Sequence, residues 1–581
     1  MTCDWRVRWR PLLEMASTAL VLAVISIGSA RAQDPGSGGT PGTAPSPATT
    51  SAAPAAPKPD PSGLATGDRT TVQDAANNNF IPASPADTDD PKTKADKQKA
   101  LDEYNAQAAK EPLAVKLADG VGHIKIATNM AWTLNTAYLV LFMQAGFALL
   151  TCGLIRKKNA GHLMMLNFAA YVIAFVAYYL VGFAFQFGAV ANTTGLANNA
   201  PGGLGGTPTL THWLIPNVLG GAGFMLKGPG YDAGAFGLFM FEVVFMETAG
   251  YIIVGAICER ITFGAFVLCE LFIGGILYPV FGAWTWGSGW LFLLGVNHHW
   301  GHGYCDFAGS TVVHGIGGFA AMALAVVLGP RIGKYTKEGK PVAFPAHNIV
   351  FVVTGTFILL FGWMGFNPGS TLQATDLRIS VIAVNTNLCA VFGSITAMIF
   401  WKLKFGKPDI SMACNGMLAG LVAITAPCAY VNARDACLIG ILAGLVVCVG
   451  VLFNDRIKVD DPCGAISVHG YCGFLGGICV GLFADGTYGI GTAGVDPTGT
   501  KGVTGLFYGD SSQLIAQVIG ATTMALWAFG ATFIVFKVVN AIKSMRPSAA
   551  AELEGLDVPE FGMLAYPEDE YPSSGVVTES A

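Results

Sequence analysis

Two histidines occupy matching positions in a repeated stretch of this chain. The segment DFAGSTVVHGIGGF at 306–319 returns as DPCGAISVHGYCGF at 461–474, with seven residues identical at the same offsets. Identity in fixed register within one chain indicates an internal repeat. A neutral imidazole offers one hydrogen-bond donor and one acceptor without a fixed charge. His314 and His469 therefore suit a small neutral hydrogen-bonding molecule or a proton relay, and they suit bulk anions or sugars poorly.

The elements that must position these histidines are membrane spans. The chain of 581 residues is 52% hydrophobic and only 12% charged, whereas soluble domains carry about 25% charged residues. A span needs ~20 apolar residues, and eleven such stretches are present. They lie near 130–155, 160–188, 234–258, 263–285, 308–328, 346–366, 378–401, 411–427, 435–453, 462–484 and 514–537.

Basic residues collect after the odd-numbered spans, and cytoplasmic loops are the ones enriched in Lys and Arg. We therefore predict an outside N-terminus and a cytoplasmic C-terminus. Arg156, Lys157 and Lys158 follow the first span, Arg331, Lys334, Lys337 and Lys340 the fifth, and Lys402, Lys404 and Lys407 the seventh.

The repeat predicts an inverted architecture. Asp306 precedes His314 by eight residues, as Asp461 precedes His469. Aspartate is a strong helix N-cap, and eight helical residues rise about 12 Å, which brings each imidazole near the middle of the bilayer. The fifth span enters from outside and the tenth from inside. The fold class is thus an all-α polytopic membrane protein with eleven transmembrane helices, two inverted five-helix repeats plus a final helix.

The N-terminal region predicts export. Arg6, Arg8 and Arg10 precede an apolar run, and Ala30-Arg31-Ala32 has the form of a signal-peptidase site, as in secretory signal peptides. The alternative is an extra retained span. We divide the chain into a signal peptide at 1–32, an exported low-complexity linker with a polar helix at 33–125, a membrane domain at 126–540 and a cytoplasmic tail at 541–581.

Several motifs carry a family resemblance. The two histidine segments, together with FMETAGYIIVGAICER at 245–260 and FGWMGFNPGS at 361–370, resemble the ammonium transporter family, Amt/Mep/Rh, and its Amt branch in particular. The resemblance runs from about Trp132 to Tyr566. It implies an ammonium transporter in the bacterial inner membrane that forms a homotrimer without a cofactor. It also implies that the tail segment at 554–567 contacts a PII signalling protein.

The resemblance implies roles for particular residues along the pathway. His314 and His469 correspond to the family's twin pore histidines. Phe245 and Phe366 correspond to the stacked pair that closes its pore against water and hydrated ions. Such a protein would capture NH4+, deprotonate it, and pass NH3, with H+, along the histidines.

The family's outer ammonium site corresponds here to Trp286, Phe245 and Ser370. Aromatic faces attract a desolvating cation by roughly 0.5–2 kcal/mol, and a hydroxyl accepts one of its hydrogen bonds. The family's outer acidic residue corresponds to Asp306, which would support cation recruitment structurally and which also fits a plain helix cap.

Three positions depart from the family pattern. Gly464 stands five residues before the second histidine, where the family often has Asp. Glu242 and Glu247 flank Phe245 in the third span, and Glu242 shares a helix face with Phe245. Glu242 either tunes ammonium capture or hydrogen-bonds between helices.

Alternatives to a transporter start from other residues. No nucleophile with its base, phosphate cradle or basic nucleic-acid face is visible, so we expect neither an enzyme nor a nucleic-acid partner. An ammonium sensor that signals through the tail with little transport is the main alternative, and a His- and Cys-lined soft-metal channel is a third. We expect no metal site, although the outer loop holds four residues that could ligate a metal, His298, His299, His302 and Cys305. A disulfide between Cys428 and Cys437 also stays open.

Overall fold

The computed structural model describes residues 72, 80–86, 89–189, 213–227, 233–487 and 502–567. The predicted signal peptide, residues 33–71, 73–79 and 87–88 of the exported linker, and residues 568–581 of the tail lie outside these ranges. The described part is a bundle of helices with one short hairpin, β1 (Trp213–Ile215) and β2 (Leu219–Gly220). The helices are α1 (Pro91–Lys110), α2 (Pro112–Leu154), α3 (Lys157–Phe187), α4 (Ala233–Ile257), α5 (Phe263–Thr285), α6 (Ser310–Leu328), α7 (Ile349–Thr371), α8 (Ile379–Phe405), α9 (Ile410–Thr425), α10 (Ala433–Arg456), α11 (Ile466–Phe483) and α12 (Ser511–Ile542).

In the described residues, ten of these helices are long and apolar enough to cross a membrane. The predicted eighth span is α9, which has only 16 residues and rises about 24 Å. The boundary between the predicted polar helix and the first span also differs from the prediction. The chain breaks between α1 and α2 at Pro112, because proline disfavours helical backbone in the residue before it, and α2 then runs without interruption for 43 residues.

The packing of the helices repeats between the two halves. In the first half, α3 packs on α4 and α5, and α2 packs on α4. In the second half, α8 packs on α9 and α10, and α7 packs on α9. The first helices of the two halves, α2 and α7, lie along each other, and α12 covers α6 and α11. The contacts therefore have the pattern of two five-helix repeats plus a final helix.

Glycines let α6 and α11 cross closely. A Cβ added to Gly318 would overlap the backbone of Gly470. In the other repeat, a Cβ on Gly473 would stand 2.9 Å from the backbone nitrogen of Gly315. Gly473 is the repeat partner of Gly318, and Gly470 is the repeat partner of Gly315. Reciprocal contact of this kind is the mark of a two-fold relation, which confirms the predicted inverted repeat.

A buried ion network joins the loops after α4, α6 and α10. Arg331 donates to Glu259 (2.7 Å) and to Asp460 (2.8 Å from Nε), and Arg260 donates to the Asp460 carbonyl at 2.7 Å. Burial alone would raise the pKa of Asp460, but the guanidinium groups of Arg260 and Arg331 hold it well below its ordinary value. A lowered carboxyl pKa stabilises the fold above the ordinary carboxyl value, so this contribution is present at neutral pH and is lost only in strong acid.

Arg331→Met should lower the stability of the bundle by about 3–5 kcal/mol, because it leaves two buried carboxylates without their shared partner. The measurement is thermal unfolding of detergent-purified protein, followed with a thiol-reactive dye, since the described cysteines are free and almost all buried.

Lys99→Met is the matched control, since the Lys99–Glu103 pair spans 3.9 Å on an exposed helix face and such pairs contribute ~0.3–0.5 kcal/mol. Equal melting of the Arg331 variant and the wild type would refute the role given to this network.

The Cys428–Cys437 disulfide that the sequence left open is absent. Cys428 and Cys437 are both free thiols, and the Cys428 thiol lies against the Thr425 carbonyl at 3.4 Å. The proximity of the two cysteines along the chain did not bring their sulfurs together, because Cys437 belongs to the outward-turning surface of α10 while Cys428 is fully buried.

Candidate functional site

The two histidines stand on wide helical turns instead of regular α-helix. α6 begins as a π-helix over Ser310–Gly315, and α11 begins as one over Ile466–Tyr471. Single π-helical turns are frequent at functional sites. Each turn is preceded by a glycine in the left-handed region, Gly309 at φ 107° and Gly464 at φ 76°. Gly464 therefore stands where an aspartate would be strained, which gives a backbone reason for its departure from the family pattern.

The two aspartates cap these turns from outside the helix. Asp306 accepts from the backbone nitrogens of Gly309, Ser310, Thr311 and Val312 at 2.8–2.9 Å. Asp461 accepts from Ile466 at 2.9 Å. The prediction that the helices begin at the aspartates was wrong, because each carboxylate satisfies the free N–H groups of a turn that starts several residues later.

Burial acts on both capping carboxyls. It raises the pKa of Asp461 to about 7. It also raises the pKa of Asp306, although hydrogen bonds from Thr311 and Val312 oppose the shift. Asp306 is 4% exposed, and its oxygens are occupied by the chain's own donors. Its contribution at this site is to shape the turn that carries His314.

The imidazoles of His314 and His469 meet. Their Nδ1 atoms lie 3.3 Å apart, and the ring centroids are 5.3 Å apart. Both side chains are buried. Among the described residues, the Nε2 atom of His314 has no hydrogen-bond partner. A single proton shared between the two Nδ1 atoms leaves one Nε2 as an acceptor and the other as a donor.

Two phenylalanines stack directly beside the first histidine. The rings of Phe245, on α4, and Phe366, on α7, have centroids 4.0 Å apart and an interplanar angle of 20°. Phe366 also stacks on His314 at 5.3 Å. Both phenylalanines are fully buried. The structure therefore brings the predicted gate pair and the predicted pore pair into one column of rings.

The predicted outer residues border the same column. Trp286 meets Phe245 edge to face at 6.4 Å, and its indole N–H donates to the Asp306 carbonyl at 2.7 Å, which fixes the ring. The Ser370 hydroxyl donates to the Phe366 carbonyl at 2.8 Å. Because its hydrogen is committed there, the Ser370 oxygen remains free to accept a hydrogen bond.

Sequence reasoning missed two aromatic neighbours of the histidines. Trp363 stacks on His314 at 5.0 Å and donates its indole N–H to Thr425 at 3.0 Å. Phe147 lies 6.2 Å from the ring of His469. Trp363 was detectable, since it stands three residues before Phe366 and thus on the same helix face. Phe147 carries no such signal, because it comes from a different helix.

Glu242 and Glu247, whose roles the sequence left open, have different neighbours. Glu242 accepts a hydrogen bond at 3.3 Å from Gln186, and Gln186 in turn accepts from the Tyr178 hydroxyl at 2.9 Å. Of the two interpretations offered for Glu242, the structure shows the hydrogen bond between helices. Glu247 accepts from Gln144 on α2 at 3.1 Å.

The loop before α6 is held by glutamines and not by a metal cluster. Gln513 on α12 accepts from the His302 backbone N–H and donates to the Gly303 carbonyl, both at 2.8 Å. Gln517 accepts from the Cys305 backbone N–H at 2.8 Å. Among the described residues there is no group of three His, Cys, Asp or Glu side chains that could hold a metal ion. The loop therefore packs as a polar cover at this end of the column.

Comparison with known proteins gives the family. Residues 131–566 match the model of the Ammonium Transporter Family. The chain is 41% identical over 447 residues to ammonium transporter Amt2 of Archaeoglobus fulgidus, covering 76% of this chain and 89% of that one. It also resembles a solved structure described as "Sensor Amt Protein" (31% identity, TM-score 0.65, 75% of this chain and 99% of that chain). A further solved relative is Mep2 of Candida albicans (28% identity, TM-score 0.60, 77% and 92%). The matched region covers the multi-pass helical bundle and the whole column of rings. The chain therefore belongs to the ammonium transporter family, in its Amt branch.

Proposed function

We propose that this protein transports ammonium, capturing NH4+ beside Trp286 and passing NH3 along His314 and His469. The observation that carries the proposal is the contact between two buried histidines, 3.3 Å apart, at the crossing of an inverted repeat. Ionisable groups inside a membrane are costly and functional by default. The relative Amt2 of Archaeoglobus fulgidus is named an ammonium transporter, which agrees with a protein that is not an enzyme.

Capture would take place at the aromatic surface formed by Trp286 and Phe245. The ammonium ion has only hydrogen-bond donors, and the Ser370 oxygen has lone pairs free because its own hydrogen is used at 2.8 Å. A cation over an aromatic face gains roughly 0.5–2 kcal/mol. The site thus offers what a cation losing its water shell requires.

Deprotonation would follow at the Phe245–Phe366 stack. Rings 4.0 Å apart leave no room for a hydrated ion, and moving a bare charge into an apolar interior costs far more than moving a neutral molecule. NH3 can accept from one histidine Nε2 and donate to the other, because the shared Nδ1 proton makes the two Nε2 atoms opposite in character. We propose that the H+ released from NH4+ also crosses the membrane, by way of His314 and His469.

The proposal also covers the membrane, the orientation and the oligomeric state of the protein. We place the protein in a bacterial inner membrane as a homotrimer, with a cleaved signal peptide at 1–32, an exported linker to 125 and the C-terminus in the cytoplasm. The positive charge after the odd-numbered spans supports this orientation, as does the position of the tail. Asp557 accepts from the backbone N–H groups of Gly161 and His162, next to the basic loop after the first span.

Solid-supported membrane electrophysiology on reconstituted protein tests the function. Ammonium pulses should produce currents that saturate, whereas potassium pulses of equal concentration should not. Tracer uptake of methylammonium into the same vesicles would report flux without net charge. Absence of both signals from folded protein would contradict transport.

Trp286→Leu should weaken apparent ammonium affinity by roughly 2- to 30-fold, the equivalent of losing a cation–π contact of about 0.5–2 kcal/mol. The maximal current should change less, because the histidines are untouched. The measurement is the ammonium concentration dependence of the current. Trp401→Leu, on α8 away from the column, is the control, and an unchanged half-saturating concentration in the Trp286 variant would remove that residue from the capture site.

The sensor is the second candidate, favoured by the likeness to "Sensor Amt Protein" and by the docking of the tail. Glu552 accepts from Arg546 and from the Ile332 backbone N–H, and Glu560 accepts from the Phe263 backbone N–H. The tail therefore touches the loops that connect the pore helices, and a PII signalling protein would meet it there. Ammonium-dependent PII binding without measurable uptake would favour the sensor.

A further inference from the structure

Two glutamates that the ammonia pathway does not use lie together inside the bundle. Glu247 on α4 is 1% exposed and Glu270 on α5 is fully buried. The Glu270 carboxyl rests against Gly250, where an added Cβ would overlap Oε2 and stand 3.4 Å from Oε1. Glu247 stands three residues before Gly250 and thus on the same face of α4. The two carboxyls are therefore neighbours across the α4–α5 contact.

Glu270 has no partner that compensates a charge. In the part of the chain that the structure describes, neither of its oxygens has a hydrogen-bond partner, and neither has Oε1 of Glu247. Glu247 accepts a hydrogen bond from Gln144 on α2, which is neutral. The ionisable side chains that face the pair are Tyr171 on α3, Tyr251 on α4 and Cys269 on α5, and each interacts electrostatically with it.

Three other buried carboxylates of this chain are treated differently. Asp306 accepts from a full turn of backbone N–H groups, and Asp460 and Glu259 are paired with arginine. The carboxyls at 247 and 270 therefore stand apart from those used to hold the fold together.

The chemistry of such a pair favours a proton as its ligand. Two carboxylates in contact cannot both ionise in a low-dielectric interior, so the pair holds at least one proton. A hard metal cation would need about six oxygen ligands, and the described residues offer no cluster of three metal-ligating side chains. The proton is the ligand that the site can hold without further donors.

The pair also touches the helix that carries the gate. Phe245 lies two residues before Glu247 on α4. Tyr251, one turn after Glu247, stacks on Phe147 at 5.7 Å with an interplanar angle of 8°, and Phe147 in turn contacts His469. A change of charge at the carboxyl pair would therefore act on the helix that carries Phe245 and, through Tyr251 and Phe147, on the surroundings of His469.

We propose that Glu247 and Glu270 form a proton-binding site inside the membrane, outside the ammonia pathway, whose occupancy sets the pH dependence of transport. The step is the exchange of one proton with water, carboxylate plus H+ giving the carboxylic acid, and it needs no other reactant. The neutral pair, with both carboxyls protonated, is the transporting form, because ionisation of one carboxyl would place an uncompensated negative charge within the packing of α4. This inference rests on the proposed transport function.

The test compares Glu270→Gln and Glu247→Gln with the wild type. Currents are recorded against pH at a constant concentration of ammonium ion. The wild-type current should fall as pH rises through the midpoint of the pair. The glutamine variants, which imitate the protonated form, should keep their current at alkaline pH, with the midpoint displaced by at least about one pH unit, since coupled carboxyls differ by more than that. Glu103→Gln, on the exposed face of α1, is the control and should follow the wild type.

Infrared difference spectroscopy on the same proteins reads the proton directly. The wild type should show the carbonyl stretch of buried carboxylic acids, and Glu270→Gln and Glu247→Gln should each lose the part of the band that comes from the replaced side chain. Glu270→Met serves if the glutamine variant folds poorly, because no hydrogen bond is broken by removing an unpartnered carboxyl.

The outcomes separate the two proposals. An unchanged pH profile together with an unchanged carbonyl band in both variants would overturn the proton site while leaving transport intact. A wild type without ammonium current would overturn the proposed function, and the infrared band alone would then decide whether the carboxyl pair binds a proton. Loss of the band without a shift of the pH profile would overturn the link to transport.

Discussion

His314→Ala and His469→Ala should each reduce ammonium-specific current by roughly 5- to 150-fold. Each imidazole is buried, and removing one leaves the other without its partner at 3.3 Å and leaves a polar molecule in the pathway without a hydrogen bond. A buried polar group left unpaired costs about 1–3 kcal/mol, which corresponds to that range of rates. The measurement is the ammonium-evoked current of equal amounts of reconstituted protein.

The control for this pair is His298→Ala. His298 is exposed at the end of a short loop helix, where it stacks on Trp300, so its removal should leave the current as it was. A paired measurement of methylammonium uptake shows whether the histidine variants lose flux or only charge movement. Ammonium-specific currents of wild-type size in both histidine variants would contradict the mechanism proposed here.

Gly318→Ala should disrupt the pore, although it adds only one methyl group. Its Cβ would overlap the backbone nitrogen and Cα of Gly470 and would stand 2.7 Å from the carbonyl carbon of His469. Backbone atoms cannot move aside as a flexible side chain does, so α6 and α11 must separate. Overpacking of this kind costs typically ~1–3 kcal/mol, and the separation also parts the two imidazoles. We expect a lower melting temperature and loss of ammonium current.

Alanine variants of two further glycines serve as controls for this prediction. A Cβ on Gly470, at the same crossing, would stand 3.3 Å from the nearest backbone atom of Gly318, so Gly470→Ala should have a much smaller effect. Gly530, on α12, has nothing within 4 Å of an added Cβ, so Gly530→Ala should be neutral or stabilise by up to about 1 kcal/mol. Equal effects of the three alanines would show that the crossing is looser than the structure has it.

The role of the buried carboxyls connects these predictions. The histidines and phenylalanines form the proposed pathway, whereas Glu247, on the helix that carries Phe245, faces Glu270 on α5 outside that pathway. If the carboxyl pair sets the pH dependence, the glutamine variants should shift the pH profile without the loss of current expected for His314→Ala. The two sites can thus be distinguished by whether the amplitude or the pH midpoint of the current changes.

The sequence by itself determined the class of fold and the residues of the column. Apolar stretches of span length, basic residues after alternate spans and a repeat in fixed register are local signals, and they indicated a polytopic helical protein with two inverted halves. The repeat also singled out His314 and His469, and their predicted contact is present. Their roles in transport, and those of Phe245, Phe366, Trp286 and Ser370, stay predictions.

Only the tertiary structure decided how these residues meet. The π-helical turns depend on Gly309 and Gly464 having left-handed backbone, which a residue type permits but does not require. Gly318 and Gly470 meet at the same helix crossing, yet only an added Cβ on Gly318 would overlap the backbone of the other helix. Phe147 and Glu270 carry no signal in their own segments, because their partners come from other helices. Spacing along a chain fixes what one helix presents, whereas the neighbours of a side chain are set by the packing of all helices together.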